Sequence, residues 1–246
     1  MEWLLLILIG WLAGVVNTLS GSGSIFTLSA LLLLNVPIDI ANGTNRLGIL
    51  SQSIASLITL RKHLPPFSVW FRVVLPAWIG SLIGAWLATF LEKELLEKIV
   101  AYMMLLLIPS VFLNTQKWSA PFSSKPPTFK PWLSIVFLGL GIYGGFIQIG
   151  VAIVFTIFLV QGAHFSPFQA NILKILIIAL YTFPVMLIFI IQEKFHWQYA
   201  VLLSVGQAIG GRTTAQLAIR YPNINLHLKY FLVFMILVTA TKSLFF

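Results

Sequence analysis

Ala41-Asn42-Gly43-Thr44-Asn45-Arg46 and its echo Ala170-Asn171-Ile172-Leu173-Lys174 decide how this chain is read. Each opens a long apolar run with asparagine and one fixed cation, in a protein of which only 9% of residues are charged. Holding a cation inside a bilayer costs from about 2.5 to more than 10 kcal/mol, so such a residue marks a functional site by default. The two stretches are therefore expected to form facing walls of an anion site.

Working outward, composition sets the class. The 246 residues are 59% hydrophobic and 14% aromatic, with mean hydropathy +0.98. That is more apolar surface than one soluble core could hide, and the apolar runs follow one another almost without pause. The expectation is an all-α polytopic membrane protein with the lipid bilayer as its surroundings. The net charge of +9 sits in short loops between apolar runs, where a cytoplasmic bias is the rule, so nucleic acid is not an expected partner. Zero cysteines exclude disulfides, thiolate metal sites and a cysteine nucleophile. His63, His164, His196 and His227 fall in or beside loops without paired spacing, so no metal site is expected, and no cofactor motif is present. The first apolar run lacks a basic leader and an Ala-x-Ala cleavage site, and is kept as a membrane segment.

Upstream of the first stretch, residues 3–20 are apolar, Ser20-Gly21-Ser22-Gly23-Ser24 interrupts, and residues 25–36 resume. One helix of that length would overshoot a hydrocarbon layer of about 30 Å, so two helical pieces are expected. The N-terminus of the second would present free backbone N–H groups at Ser22, Gly23 and Ser24, which suits an anion. A tight turn between two tilted spans is the alternative. Downstream, Asn42, Asn45, Gln52, Ser56 and Thr59 recur at helical spacing on one face, with Arg46 beside it. For Ser56 and Thr59 ordinary helix-to-helix hydrogen bonding is the preferred reading. Arg61-Lys62-His63 is basic and so expected to be cytoplasmic, whereas the segment from Glu92 to Lys98 is net acidic and expected outside. Gly80, Gly84 and Ala88 form a small-residue packing stripe.

The second half repeats the first. A shift of 129 positions pairs Gly10 with Gly139, Gly21 with Gly150, and Ala41-Asn42 with Ala170-Asn171, and brings Lys174 onto Asn45, one place from Arg46. Beyond the loop at 192–196 the shift becomes 126, matching Gly206 and Gly210 to Gly80 and Gly84. The expected organisation is an N-terminal repeat over 1–113, a cytoplasmic linker over 114–131 rich in Pro and Ser, and a C-terminal repeat over 132–246. Each repeat has four or five helical segments with broken or re-entrant helices, giving eight to ten membrane segments. If 3–36 crosses twice, the repeats are inverted, Arg220, His227 and Lys229 join the cytoplasmic loops, and Glu193-Lys194 lies outside. If it crosses once, there are eight spans and Arg220 lies outside. The charge bias favours inversion. Duplicated units with interrupted helices are a pattern of secondary transporters, which hold substrate between the repeats.

Gly10-x-x-x-Gly14, the Ser20–Ser24 turn, Ala-x-Gly-Thr-Asn at 41–45, the basic loop at Arg61, the Gly80/Gly84 stripe and their second-half copies together resemble the TauE/SafE-type sulfite exporter family over nearly the whole chain. The resemblance implies a bacterial cytoplasmic-membrane transporter of sulfite, an organosulfonate or a related sulfur-containing anion. It carries over Gly21 and Gly23, and Asn42 through Thr44 to Asn45, as site elements. The chain departs from the pattern with Ser22 and Ser24 where relatives are richer in glycine, and with Gly150 alone at the second break.

In the expected site, Arg46 and Lys174 supply the charge, one from each half. Gln148 and Gln207 are amide donors within reach of such chemistry, although buried glutamines more often join helices. Arg212 has no cationic twin, and is read either as snorkelling to the interface or as part of the anion path. The predicted binding set is Ser22, Gly23, Ser24, Asn42, Thr44, Asn45, Arg46, Gln52, Gln148, Gly150, Asn171, Lys174 and Arg212. A second copy of the chain is an admissible partner. A membrane-embedded enzyme would need a nucleophile with a base, or a carboxylate and histidine cluster, at membrane depth, and the sequence presents neither. A scaffold protein would need long docking loops, and only 114–131 has the length.

Overall fold

The computed structural model describes residues 2–112 and 129–220. Most of the expected linker, and the expected segment after Arg220 with His227 and Lys229, lie outside the described residues. The described regular structure is entirely helical: α1 (Glu2–Leu19), α2 (Ser24–Leu33), α3 (Ile38–Leu60), α4 (Phe67–Phe90), α5 (Lys93–Phe112), α6 (Trp132–Phe146), α7 (Val151–Ile157), α8 (Pro167–Ile191) and α9 (Trp197–Arg220). A 3-10 turn at Arg61–His63 closes α3, and a π turn at Phe158–Gly162 prolongs α7. α1, α4 and α8 are each long and apolar enough to cross a bilayer. Trp3, Leu8, Trp86, Phe90, Ile135, Ile191 and Trp197 stay exposed. Exposed apolar side chains on so many helices form the surface that a multi-pass membrane protein turns to lipid.

Helix limits follow local chemistry. α3 begins at Ile38, because Pro37 sets the entry conformation and Asp39 suits the first turn. α8 begins on Ser166, whose Oγ accepts from the Gln169 N–H at 3.3 Å, with Pro167 at the first helical position. α2 and α8 end alike on a left-handed residue, Asn35 (φ 58°) and Glu193 (φ 57°). The next N–H then bonds back five residues, Val36 to Leu31 and Lys194 to Phe189.

Contacts fix the direction of each helix. Lys194, just past α8, lies 3.6 Å from Asp39 at the start of α3, while the His63 ring, past the end of α3, meets Phe168 at the start of α8. α3 and α8 are therefore antiparallel, and the molecule has a basic end at Arg61–His63 and an opposite end at Asp39 and Lys194. α1 runs parallel to α9: a Cβ on Gly10 would strike Leu203 and one on Gly14 would strike Gln207. α4 runs parallel to α6, since Gly80 abuts Leu138 and Gly84 abuts Ile142. These glycines let backbones touch where any side chain would hold them apart. α1 and α6 thus run in opposite directions, as do α4 and α9.

The two interrupted segments behave alike. α1 enters from the Asp39 end, stops at the Ser20–Ser24 break, and α2 carries the chain back to that end, where α3 begins. α6 enters from the basic end, stops before Gly150, and α7 with its π turn returns, bringing Phe158 against Trp132. Gly21 (φ 86°) and Gly150 (φ 69°) adopt left-handed conformations that make these reversals possible. The two tips meet in mid-molecule, where a Cβ on Gly21 would run into that of Ala152.

Candidate functional site

Where the tips meet there is a small cavity between α3 and α8, of about 10 Å³, room for about one water molecule. Its polar wall is Asn17, Ser24, Gln52, Ser53, Gln148 and Lys174, and its apolar wall includes Ile49, Val151, Ala152, Ile175 and Ile178. α1, α2, α3, α8 and the second break all contribute. With Gln52 fourteen residues into α3, the cavity lies about 21 Å from the Asp39 end.

The two cations expected to act together have different surroundings. Arg46 is fully buried. Its Nη1 donates to the Gly144 carbonyl at 2.6 Å and to Gln148 Oε1 at 2.9 Å, and its Nη2 to the Gly145 carbonyl at 2.8 Å and to Asn42 Oδ1 at 3.1 Å. Asn42 adds a bond from Nδ2 to the Phe146 carbonyl at 2.8 Å. Together they cap the C-terminus of α6, whose orphan carbonyls and partial negative charge suit a guanidinium. The Phe189 ring covers the other side, 5.4 Å from the guanidinium carbon. Arg46 does not line the cavity. An anion is therefore not the only partner that relieves a desolvated arginine here, because a broken helix end supplies acceptors of its own.

Lys174 is 1% exposed and lines the cavity, and its Nζ has no hydrogen-bond partner. Asn17 lies on the same wall. Its Oδ1 accepts the Ser24 N–H at 3.2 Å, and its Nδ2 is buried without an acceptor. Gln148 is fixed at both ends, by Arg46 and by a bond from Nε2 to Thr182 Oγ1 at 3.1 Å. Gln52 donates from Nε2 to Thr18 Oγ1 at 2.9 Å, tying α3 to α1.

Of the residues singled out in the sequence, Gly21, Ser24, Gln52, Gln148 and Lys174 therefore share the cavity wall. The others serve elsewhere. The Ser24 N–H is taken by Asn17, and those of Ile25 and Phe26 by the Ser22 and Gly23 carbonyls, so the break keeps fewer N–H groups for a ligand than its sequence suggests. Ser22 bonds to Ser20 at 2.9 Å, and Gly23 packs on the backbone of Ala13 and Asn17. Thr44 Oγ1 accepts the His196 N–H at 2.9 Å beside the start of α9, and Asn45 Oδ1 faces Gln207 Nε2 at 3.4 Å. Gly150 forms the second reversal, Asn171 is half-buried with Oδ1 unpartnered, and Arg212 is exposed on α9, away from the cavity. Asn17 was not singled out from the sequence, although a lone Asn-Thr pair just before the glycine-serine break was the available signal.

The family model for the sulfite exporters TauE/SafE matches residues 6–243. A probable membrane transporter protein of Haemophilus influenzae is 24% identical over 218 residues, covering 87% of this chain and 84% of the relative. The probable membrane transporter protein YfcA of Escherichia coli strain K12 is 24% identical over 215 residues, covering 87% and 80%. The probable membrane transporter protein ORF9 of a Sinorhizobium species is 24% identical over 212 residues, covering 86% and 79%. No solved structure matches significantly. With a family model spanning nearly the whole sequence, and apolar helices that fit it, this multi-pass membrane protein belongs to the sulfite exporter TauE/SafE family of membrane transporters.

Proposed function

We propose that the chain is a secondary transporter, not an enzyme, that moves a small sulfur-containing oxyanion, sulfite or an organosulfonate, across the bacterial cytoplasmic membrane. The observation that carries this reading is the pair of buried donors, Lys174 Nζ and Asn17 Nδ2, on one cavity wall without an acceptor. A buried ammonium without a counter-charge is costly, and an anion between the two groups supplies the missing acceptor. The cavity is too small for a four-atom oxyanion, so loading requires the tips to part, as alternating access demands. In this reading Lys174 provides the charge, while Arg46 sets the shape of the second tip and holds Gln148 in place.

The opposite directions of α1 and α6, of α3 and α8, and of α4 and α9 support two inverted repeats, over 1–113 and 132–246. The pairing of α1 with α9 and of α4 with α6 adds that the repeats exchange their first helices. The test is flux of sulfite and of methanesulfonate into vesicles holding the purified protein. Transport by the wild type, and its loss in Lys174→Gln with the protein still folded, is the expected result. Absence of flux for both anions in the wild type, or unchanged flux in the variant, overturns the reading.

A further inference from the structure

We infer that the connection between α8 and α9, residues 192–196, is a strap that closes the path from the Asp39 end to the cavity, and that this end opens more readily than the basic one. The two ends are covered by matching connections of the two halves, α8 to α9 at one and α3 to α4 at the other, but with different chemistry. At the Asp39 end the strap reaches from the C-terminal half onto the N-terminal half through polar contacts. Lys194 Nζ donates to the Thr89 carbonyl at the end of α4 at 2.7 Å and lies 3.6 Å from the Asp39 carboxylate of α3. The His196 N–H donates to Thr44 Oγ1 at 2.9 Å. Between these anchors the backbone itself rests on α3, since a Cβ on Gly43 would run into the Lys194 carbonyl. Under the strap a column of contacts leads inward. The Lys194 N–H is bonded to the Phe189 carbonyl, the Phe189 ring covers the guanidinium of Arg46, and Arg46 holds Gln148 on the cavity wall. Lifting the strap uncovers Phe189 and the column beneath it.

At the basic end the position matching Gly43 under the shift of 129 is Ile172. It is buried with Leu60, Ile175 and Ala215, with Leu64 and Phe168 packed against them, and the His63 ring meets Phe168 edge-on at 5.5 Å. Parting these surfaces exposes hydrocarbon to water. Parting the strap costs less. The Lys194 side chain is already 20% exposed, an ion pair at the aqueous edge holds weakly, and water replaces each hydrogen bond that breaks.

The chain has no cysteine, so one introduced thiol reports on the path without interference. Ser53→Cys places it on the cavity wall. The experiment is modification of this thiol by a membrane-impermeant methanethiosulfonate, in membrane vesicles of each orientation, read by mass on the purified protein. Glu92→Cys and Lys62→Cys, at exposed positions, identify the Asp39 side and the basic side. The expected result is faster modification of Ser53→Cys from the Asp39 side. Thr44→Val combined with Lys194→Met should raise that rate at least tenfold and leave the rate from the basic side unchanged, while Lys194→Arg, which keeps a donor for Thr89 and Asp39, should stay near the original rate. Faster reaction from the basic side, an unchanged rate in the double variant, or no reaction from either side while the two marker thiols react, overturns the inference. Should the double variant not fold, the ratio of the two rates with the strap intact decides. Labelling needs no substrate, so the outcome stands apart from whether sulfite or an organosulfonate is carried.

Discussion

Arg46 and Lys174 occupy nearly equivalent places in the two halves, yet one has both outer nitrogens bonded while the other is bare. Arg46 faces the C-terminus of a broken helix and spends both outer nitrogens on it. Lys174 faces the cavity and has no acceptor. Equivalent position thus does not mean equivalent role, because a cation's function depends on which acceptors the opposing tip brings to it. A planar fork with several donors suits a row of carbonyls, and a compact point charge suits a ligand that must arrive and leave.

The sharpest way to break this contrast is Arg46→Met. It should strip the Gly144 and Gly145 carbonyls, Gln148 and Asn42 of their donor and destabilise the protein by about 3–5 kcal/mol. Thermal unfolding in detergent checks this, and added anion should not restore the loss. Lys174→Met should act with the opposite sign, raising stability by about 1–4 kcal/mol because an unpaired buried charge is replaced by hydrocarbon. The same unfolding assay decides, and a fall in stability would mean that Lys174 is as structural as Arg46.

The two reversals offer a finer version of the comparison. Gly150→Ala should cost about 1–2 kcal/mol for a left-handed alanine. Gly21→Ala should cost more, because its new Cβ also meets Ala152. Unfolding temperatures of the two variants, measured side by side, rank them. The smallest effect belongs to the far end, where Asp39→Asn removes the 3.6 Å pair with the partly exposed Lys194. Its expected cost is about 0.2–1 kcal/mol and should shrink with added salt.

The sequence exposed those features that are encoded in single residues. Glycine and serine at 20–24, and Gly150, marked both breaks because reversals need unusual backbone conformations. Arg46 and Lys174 stood out because charge is rare in this chain. What Arg46 bonds to was hidden, since two of its four acceptors are backbone carbonyls, which every residue carries and no composition reveals. Asn17 was missed for a related reason: its role depends on an unpaired Nδ2, and pairing is a property of the packed neighbours. The partnership of α1 with α9 was equally out of reach. Gly10, Gly14, Gly206 and Gly210 announce close packing without saying against what.

That partnership has a consequence for how the chain is made. Gly10 settles against Leu203, a residue synthesised nearly two hundred positions later, which at ordinary elongation rates is a delay of about 10–40 s. During that interval α1 sits in the membrane without the surface it was shaped for, its glycine stripe open to lipid or to the insertion machinery. α1 is thus made long before the helix it docks on, and a substitution at Gly10 or Gly14 should lower the yield of assembled protein more than its effect on the finished molecule would suggest.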